Sequence, residues 1–309
     1  MRAVVFAYSN VGERCLRLLV AMGVDVPLVV THRDRSIDAT WQRSVATTAT
    51  ELGLHWVTGD DPADPTLARE VARARPHVIF SFYYRALIPT SVLGLASIGA
   101  YNLHGSLLPL FRGRAPTNWA VLTGATETGA TLHLMVEAPD AGPIVDQIAV
   151  PILPDDTGHD VFTKVTVAAE QVLWRSLPRI AAGDPPRHAN RIDRGSYFGG
   201  RTPEDGRIDW SRPAADIYNL IRAVAPPYPG AFSEINGVRV TVARARRRAA
   251  TDPDQGGVGG GLAVREGRIV GICGDGGVID ILELWQGRRL MRAGDLSHLL
   301  QGSRASAPE

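Results

Sequence analysis

Asn102, His104 and Asp140 are residue types that could do carbonyl chemistry at their spacing in this chain. An Asn side-chain NH2 can donate to an oxygen that turns negative when a carbonyl is attacked, and a His two residues further along an extended segment shares its face. Asp140 supplies a charge partner, since a carboxylate beside an imidazole favours the imidazolium. The three lie in Asn102-Leu103-His104-Gly105-Ser106-Leu107-Leu108-Pro109, followed by Arg112-Gly113-Arg114-Ala115-Pro116, and in Ala138-Pro139-Asp140-Ala141-Gly142. A lone histidine in an apolar context is more often a packed core residue than a catalyst. Here the spacing and content of the whole block favour attack of an amine on a carbonyl, with proton transfer to and from nitrogen. Ser106 is expected to be a solvated loop serine.

The block reads as a strand end, a Gly/Pro-rich loop over 105–116, a short helix over 116–122 and a strand over 128–136 leading into the Asp140 loop. Upstream, short β-like runs alternate with amphipathic helices. Strands are expected at 3–8, 25–31, 55–57, 77–82 and 100–103, and helices near 12–22, 41–52 and 65–74. This is the pattern of an α/β, doubly wound, mostly parallel (Rossmann-like) domain, in which ligands gather at strand ends and loops. A long helix over 157–182, with Asp155, Asp156 or Thr157 at its cap and Gly183 as its stop, closes that domain. Gly183-Asp184-Pro185-Pro186 has linker composition. Past it, a helix over 213–224 and short alternating strands with Gly-rich turns over 230–284 fit a small β-barrel. The expected division is 1–188 for the catalytic domain, 189–203 for a linker and 204–309 for a C-terminal domain. The Gly-rich run 254–261 is expected to be a hairpin loop. Tyr8-Ser9-Asn10-Val11-Gly12 has one glycine where a dinucleotide fingerprint needs three, which argues against NAD there.

The chain has 309 residues, 45% apolar and 21% charged, which suffices for a full domain and a smaller one. Its net charge of +1 argues against a protein built to track nucleic acid. Cys15 and Cys273 are far apart and read as buried thiols in a reducing compartment, and no histidine spacing suggests a metal site. No apolar stretch of membrane-spanning length or leader pattern is present, so a cytoplasmic location without membrane association is expected.

The Asn/His/Asp pattern resembles the signature of the folate-dependent formyltransferases, and the similarity runs through most of the chain. Val5-Phe6-Ala7-Tyr8, residues 78–85, 102–109 and 112–116, Thr126-Glu127-Thr128-Gly129, Arg201-Thr202-Pro203 and residues 229–233 carry it. They resemble most the branch that formylates UDP-linked aminoarabinose, and more distantly methionyl-tRNA formyltransferase. The resemblance implies an OB-like C-terminal domain and 10-formyltetrahydrofolate as formyl donor. It implies catalysis by Asn102, His104 and Asp140, with no metal. It places the donor between the segment carrying Arg85, Leu87 and Ile88 and the loop carrying Pro139, Ala141 and Gly142. For the acceptor, a small-molecule amine on a nucleotide sugar, Arg114 and Arg201 are candidates to pair with phosphates, and Tyr8, Tyr84 and Phe111 to stack on sugar or base. Gly200 departs from that branch, where a second Arg is expected beside Arg201.

Other readings stay open. Methionyl-tRNA formyltransferase would use a basic surface such as Arg244, Arg246, Arg247 and Arg248, although nucleic acid is not the expected partner. Formylation of a small amine is a third enzyme reading, and a non-catalytic folate or nucleotide-sugar binding regulator comes from another class. The sequence leaves self-association open.

Overall fold

The computed structural model describes residues 1–34, 41–248 and 260–302. These divide into two compact units, one of residues 1–117, 127–151 and 162–199, the other of 118–126, 152–161 and 200–309.

The first unit holds β1 (Arg2–Ala7), α1 (Ser9–Ala21), β2 (Asp25–Thr31), α2 (Val45–Glu51), β3 (Trp56–Thr58), α3 (Pro65–Ala74), β4 (Val78–Phe82), α4 (Thr90–Leu93) and β5 (Gly99–His104). Then come β6 (Arg112–Gly113), α5 (Pro116–Leu122), which belongs to the second unit from Asn118 on, β7 (Glu127–Leu134), β8 (Ile144–Pro151), the long α6 (Gly158–Ala181), in the first unit from Phe162 on, and β9 (Tyr197–Phe198). A seven-stranded sheet runs β3-β2-β1-β4-β5-β7-β8. Its first five strands are parallel, whereas β7 pairs antiparallel with β5 and β8. β4 is buried at every position and β1 at all but Arg2, as apolar strands covered on both faces must be. α1 turns Val11, Cys15, Leu16 and Leu19 inward at helical spacing. Ser44 accepts the Thr47 N–H at 3.2 Å as the α2 N-cap, and this cap is why the helix starts at Val45 and not near Trp41. Asp64 caps α3 in the same way, with Pro65 in its first turn. Sequence pattern alone leaves out β8, whose outer residues alternate only weakly.

The second unit contains α7 (Ala214–Ala223), β10 (Ala231–Ile235), β11 (Val238–Arg247), β12 (Gly261–Arg265), β13 (Arg268–Ile272), β14 (Val278–Gln286), β15 (Arg289–Leu290) and α8 (Ala293–Gln301). Its antiparallel sheet runs β10-β11-β14-β13-β12, with β15 beside β14. This is the small OB-like β domain, with its sheet open between β10 and β12 among the described residues. The expected hairpin loop 254–261 lies outside the described residues except for Gly260 and Gly261. Both cysteines are buried free thiols, and burial pushes each thiol's pKa up. No helix among the described residues is long and apolar enough to cross a membrane, and no metal-binding cluster occurs among them.

Candidate active site

The site grows out of the antiparallel edge of the first sheet. Asn102 and His104 lie on one face of β5, with Leu103 turned into the core between them. The register of β7 sets His133 opposite Asn102 and Thr131 opposite His104, and Thr131 in turn faces Gln147 on β8. One face of three strands therefore carries a polar stripe. The loop after β5 is laid over it: Thr131 Oγ1 donates to the Ser106 carbonyl at 2.6 Å and accepts the Leu108 N–H at 3.1 Å, while Gln147 Nε2 donates to the Leu108 carbonyl at 2.9 Å. Ser106 is buried, its hydroxyl donating to the Leu110 carbonyl at 2.6 Å, so the expectation of a solvated serine is corrected. A polar loop crossing a sheet needs these internal partners once water is shut out.

Asp140 reaches this face from its loop, with a positive φ of 52° that an aspartate tolerates better than most residues. Its Oδ2 accepts the Gly113 N–H at 2.9 Å. Its Oδ1 stands 3.4 Å from Asn102 Nδ2, 3.5 Å from His104 Nδ1 and 3.6 Å from His133 Nε2. Both flanking glycines are required. A Cβ on Gly113, whose φ is 95°, would come within 2.2 Å of the Phe198 carbonyl, and one on Gly142 within 1.9 Å of the Leu134 carbonyl. Asn190 Nδ2 closes the loop by donating to the Asp140 and Gly142 carbonyls at 3.0 and 3.1 Å.

Protonation follows from the partners. His104 is 6% exposed and its Nε2 donates to the Phe111 carbonyl at 2.9 Å, which leaves Nδ1 facing Asp140. Burial pushes the His104 pKa below the ordinary histidine value against the opposing pull of Asp140 and the Phe111 carbonyl. Burial also works against the Asp140 anion, yet His104, His133 and the Gly113 amide hold its carboxyl well below the usual carboxylate range. The carboxylate is the charge that persists, because the Gly113 amide supports it whatever the histidines do. The resting imidazole is neutral, and a proton arriving at Nδ1 would lie against an anion. His133 Nδ1 donates to the Leu134 carbonyl at 2.8 Å, and in the neutral ring Nε2 accepts from Asn102 Nδ2 at 3.1 Å. That fixes which way the Asn102 amide points.

Sequence reasoning passed over His133, Asn190 and the Phe111 carbonyl. The signal for His133 was its place in the strand that leads to Asp140, within pairing reach of Asn102.

The other candidates are distributed more widely. Arg85 is exposed, with its guanidinium 4.1 Å from the centre of the Tyr8 ring. Leu87 is 73% exposed, whereas Ile88 packs partly against the core beneath. Pro139 and Ala141 flank Asp140 at the loop surface, half-buried. Tyr8 is buried, and Tyr84 sits in the core with its hydroxyl donated to the Gly59 carbonyl. Phe111 stacks on Phe198 with ring centroids 5.7 Å apart, and its N–H donates to Ser196 Oγ at 2.8 Å. β6 pairs with β9 beside it, and the exposed Arg114 donates its backbone N–H to the Phe198 carbonyl. Arg201 belongs to the second unit, where its guanidinium lies 4.9 Å from the centre of the Trp119 ring and donates to the Asp205 carbonyl at 2.9 Å.

Residues 1–177 match the family described as formyl transferase, and residues 201–299 match formyl transferase, C-terminal domain. The chain belongs to the formyltransferase family. Its fold is shared with an N-formyltransferase from Helicobacter canadensis, solved with folinic acid and dTDP-3-aminofucose. That structure superposes with a TM-score of 0.71 at 18% identity, over 91% of this chain and 98% of that one. WlaRD, a sugar 3N-formyltransferase solved with dTDP and 5-N-formyl-THF, gives a TM-score of 0.69 at 18% identity, over 94% of this chain and 99% of that one. HypX from Aquifex aeolicus, solved with tetrahydrofolic acid, gives 0.66 at 19% identity, over 98% of this chain but 48% of that one.

Proposed function

We propose that this protein moves a formyl group from 10-formyltetrahydrofolate to the primary amine of a nucleotide-linked amino sugar. The observation that carries the chemistry is the set Asn102, His104, His133 and Asp140, gathered within 3.6 Å of one carboxylate oxygen with both histidines buried, in a chain of this family. The bond from the formyl carbon to N10 breaks as the bond to the amine forms; the amine loses a proton and N10 gains one. Asn102 presents its amide hydrogens to the oxygen that becomes negative. The hydrogen now shared with Asp140 over 3.4 Å is held weakly and is the one to redirect. Neutral His104 accepts the amine proton, and Asp140 stabilises the imidazolium so formed.

The donor would lie along the segment of Arg85, Leu87 and Ile88, opposite the loop of Pro139, Ala141 and Gly142. The apolar side chain of Leu87, the most exposed among the large described hydrophobics, supports a flat ring partner there. Arg114 and Arg201 would meet the acceptor's phosphates, and Phe111 its sugar. Relatives solved with dTDP and with a dTDP-amino sugar support a nucleotide-linked acceptor. UDP-4-amino-arabinose is the member of that class that the sequence favours.

The test is turnover with 10-formyltetrahydrofolate and a panel of UDP- and dTDP-linked 3- and 4-amino sugars, methionyl-tRNA and free amino acids. Release of tetrahydrofolate should accompany the gain of one CO by an amino sugar. Formylation of methionyl-tRNA alone, or of free amino acids alone, would overturn the acceptor assignment.

A further inference from the structure

Past the carboxyl ends of β1, β2, β3 and β4 stand Tyr8, His32, Asp60 and the pair Tyr84 and Arg85. The His32 side chain is 10% exposed, and its ring stacks on Tyr84 with centroids 4.2 Å apart and planes 15° apart. Tyr8 packs against the same imidazole in a T-shaped contact, with centroids 5.5 Å apart and planes 71° apart. Both ring nitrogens have partners of opposite kinds. The Arg85 backbone N–H donates to Nε2 at 3.1 Å, and Nδ1 stands 3.1 Å from Asp60 Oδ1. An amide donor requires a lone pair at Nε2, so the proton is on Nδ1, pointing at the carboxylate. Only this neutral tautomer suits both partners. Protonation would set an N–H at Nε2 against the Arg85 N–H, removing an acceptor and adding a repulsive donor pair.

A well-satisfied core histidine would explain the burial alone. It would not explain why the one backbone group His32 holds belongs to Arg85, whose side chain also lies on Tyr8 and whose chain continues directly to the exposed Leu87. His32 and Tyr8 thus fix the entrance of the 85–89 segment at its backbone and at its side chain.

We propose that neutral His32 is a positioning residue for the formyl donor: it holds Arg85 and the 85–89 segment in place, and its protonation releases that segment and weakens donor binding. This depends on the reading of 85–89 as the donor wall. Among the described residues, the groups facing His32 are Asp60 from the end of β3, Arg85 and Tyr84 from the end of β4, and Tyr8 from the end of β1. Burial lowers the His32 pKa from 6.5, Asp60 opposes that and Arg85 adds to it. Tyr84 stays neutral, its own pKa raised by burial. The sign follows: donor binding is intact above the ordinary histidine value and is lost as pH falls toward and through the lowered one.

The experiment measures donor KM, acceptor KM and kcat from about pH 8 down to about pH 5 in the wild type, His32→Gln and His32→Phe. It also follows the Arg85 amide resonance of the wild type by NMR. In the wild type, donor KM should rise about tenfold across that range, with kcat at saturating donor changing no more than in His32→Gln. The Arg85 amide shift should titrate together with the His32 ring. His32→Gln, a non-titrating acceptor, should flatten the donor KM profile. His32→Phe, which keeps a ring against Tyr84, should show a donor KM about tenfold higher at neutral pH and little further change on acidification. An Arg85 amide indifferent to His32 protonation would overturn the positioning role itself, even if a variant fails to fold. An Arg85 amide that titrates with His32 while donor KM stays flat would overturn the role in donor binding and, with it, the assignment of 85–89 to the donor.

Discussion

Replacing Asp140 by Asn isolates the charge at the centre of the site with almost no change of shape. The positive φ of 52° at this position suits Asn as well as Asp, and an amide oxygen can still accept the Gly113 N–H. What disappears is the anion 3.5 Å from His104 Nδ1. Two unit charges about 4 Å apart interact by about 4 kcal/mol at an effective dielectric of about 20. That energy acts only when His104 carries the proton taken from the amine, so it belongs to the transition state and not to bound reactants. At about 1.4 kcal/mol per decade, kcat should fall by about a thousandfold, with both KM values within about threefold of wild type. Without the carboxylate the His104 pKa drops further. The pH at which activity declines on acidification, where a protonated His104 can no longer accept the amine proton, should move down with it. Steady-state tetrahydrofolate release at saturating donor and acceptor, with circular dichroism as a folding control, measures this. A kcat within tenfold of wild type, or a loss confined to donor KM, would refute the reasoning and make Asp140 a group that holds ligand.

Asn102→Ala should lower kcat by about a hundredfold or more with secondary structure retained, the cost of about 2.7–4 kcal/mol for a lost donor to a developing anion, and His104→Ala by about a hundredfold or more through loss of the base that takes the amine proton; near-normal rates in either would remove that residue from the chemistry. His133→Ala should lower kcat about tenfold by freeing the Asn102 amide to rotate, and His133→Gln, which restores an acceptor, should recover part of that loss; equal rates in the two variants would count against an orienting role. Arg201→Ala should raise the acceptor KM about tenfold for a nucleotide sugar and leave the donor KM alone. No change with any nucleotide sugar would point to an acceptor that lacks a diphosphate.

The parallel part of the first sheet was legible because strands buried on both faces have unbroken apolar runs, as in Val4-Val5-Phe6 and Val78-Ile79-Phe80. Asn102 and His104 were legible as a pair because alternation along one strand is a local property. His133 was not, because its relation to Asn102 depends on the register of two antiparallel strands joined through a loop and a helix. β6 and β9 have two residues each, too few for any pattern to show. Tyr84 shows the reverse difficulty: in Tyr83-Tyr84-Arg85 the sequence offers two rings and a cation in a row, but the backbone turns at Tyr83, whose φ is 56°, and sends Tyr84 into the core. Ser106 was expected outside because Gly- and Pro-rich loops usually are, yet Thr131 and Gln147 give this loop an internal set of partners.

The residues that close the catalytic loop arrive late in the chain. Asn190 grips the carbonyls on either side of Ala141, Ser196 receives the Phe111 N–H, and β9 pairs with β6 beside Gly113. All three contacts fall between 189 and 199, within the stretch that the expected domain division assigns to a linker. The seam for exchanging the second half of this protein with that of a relative therefore lies after Gly199. A chimaera joined at 188 would carry Asn102, His104 and Asp140 and still lack the segment that holds them in register. Any shuffling of C-terminal halves among such enzymes must move that strip together with the half that carries Asp140, so its inheritance should follow Asp140 and not the β domain that comes after it.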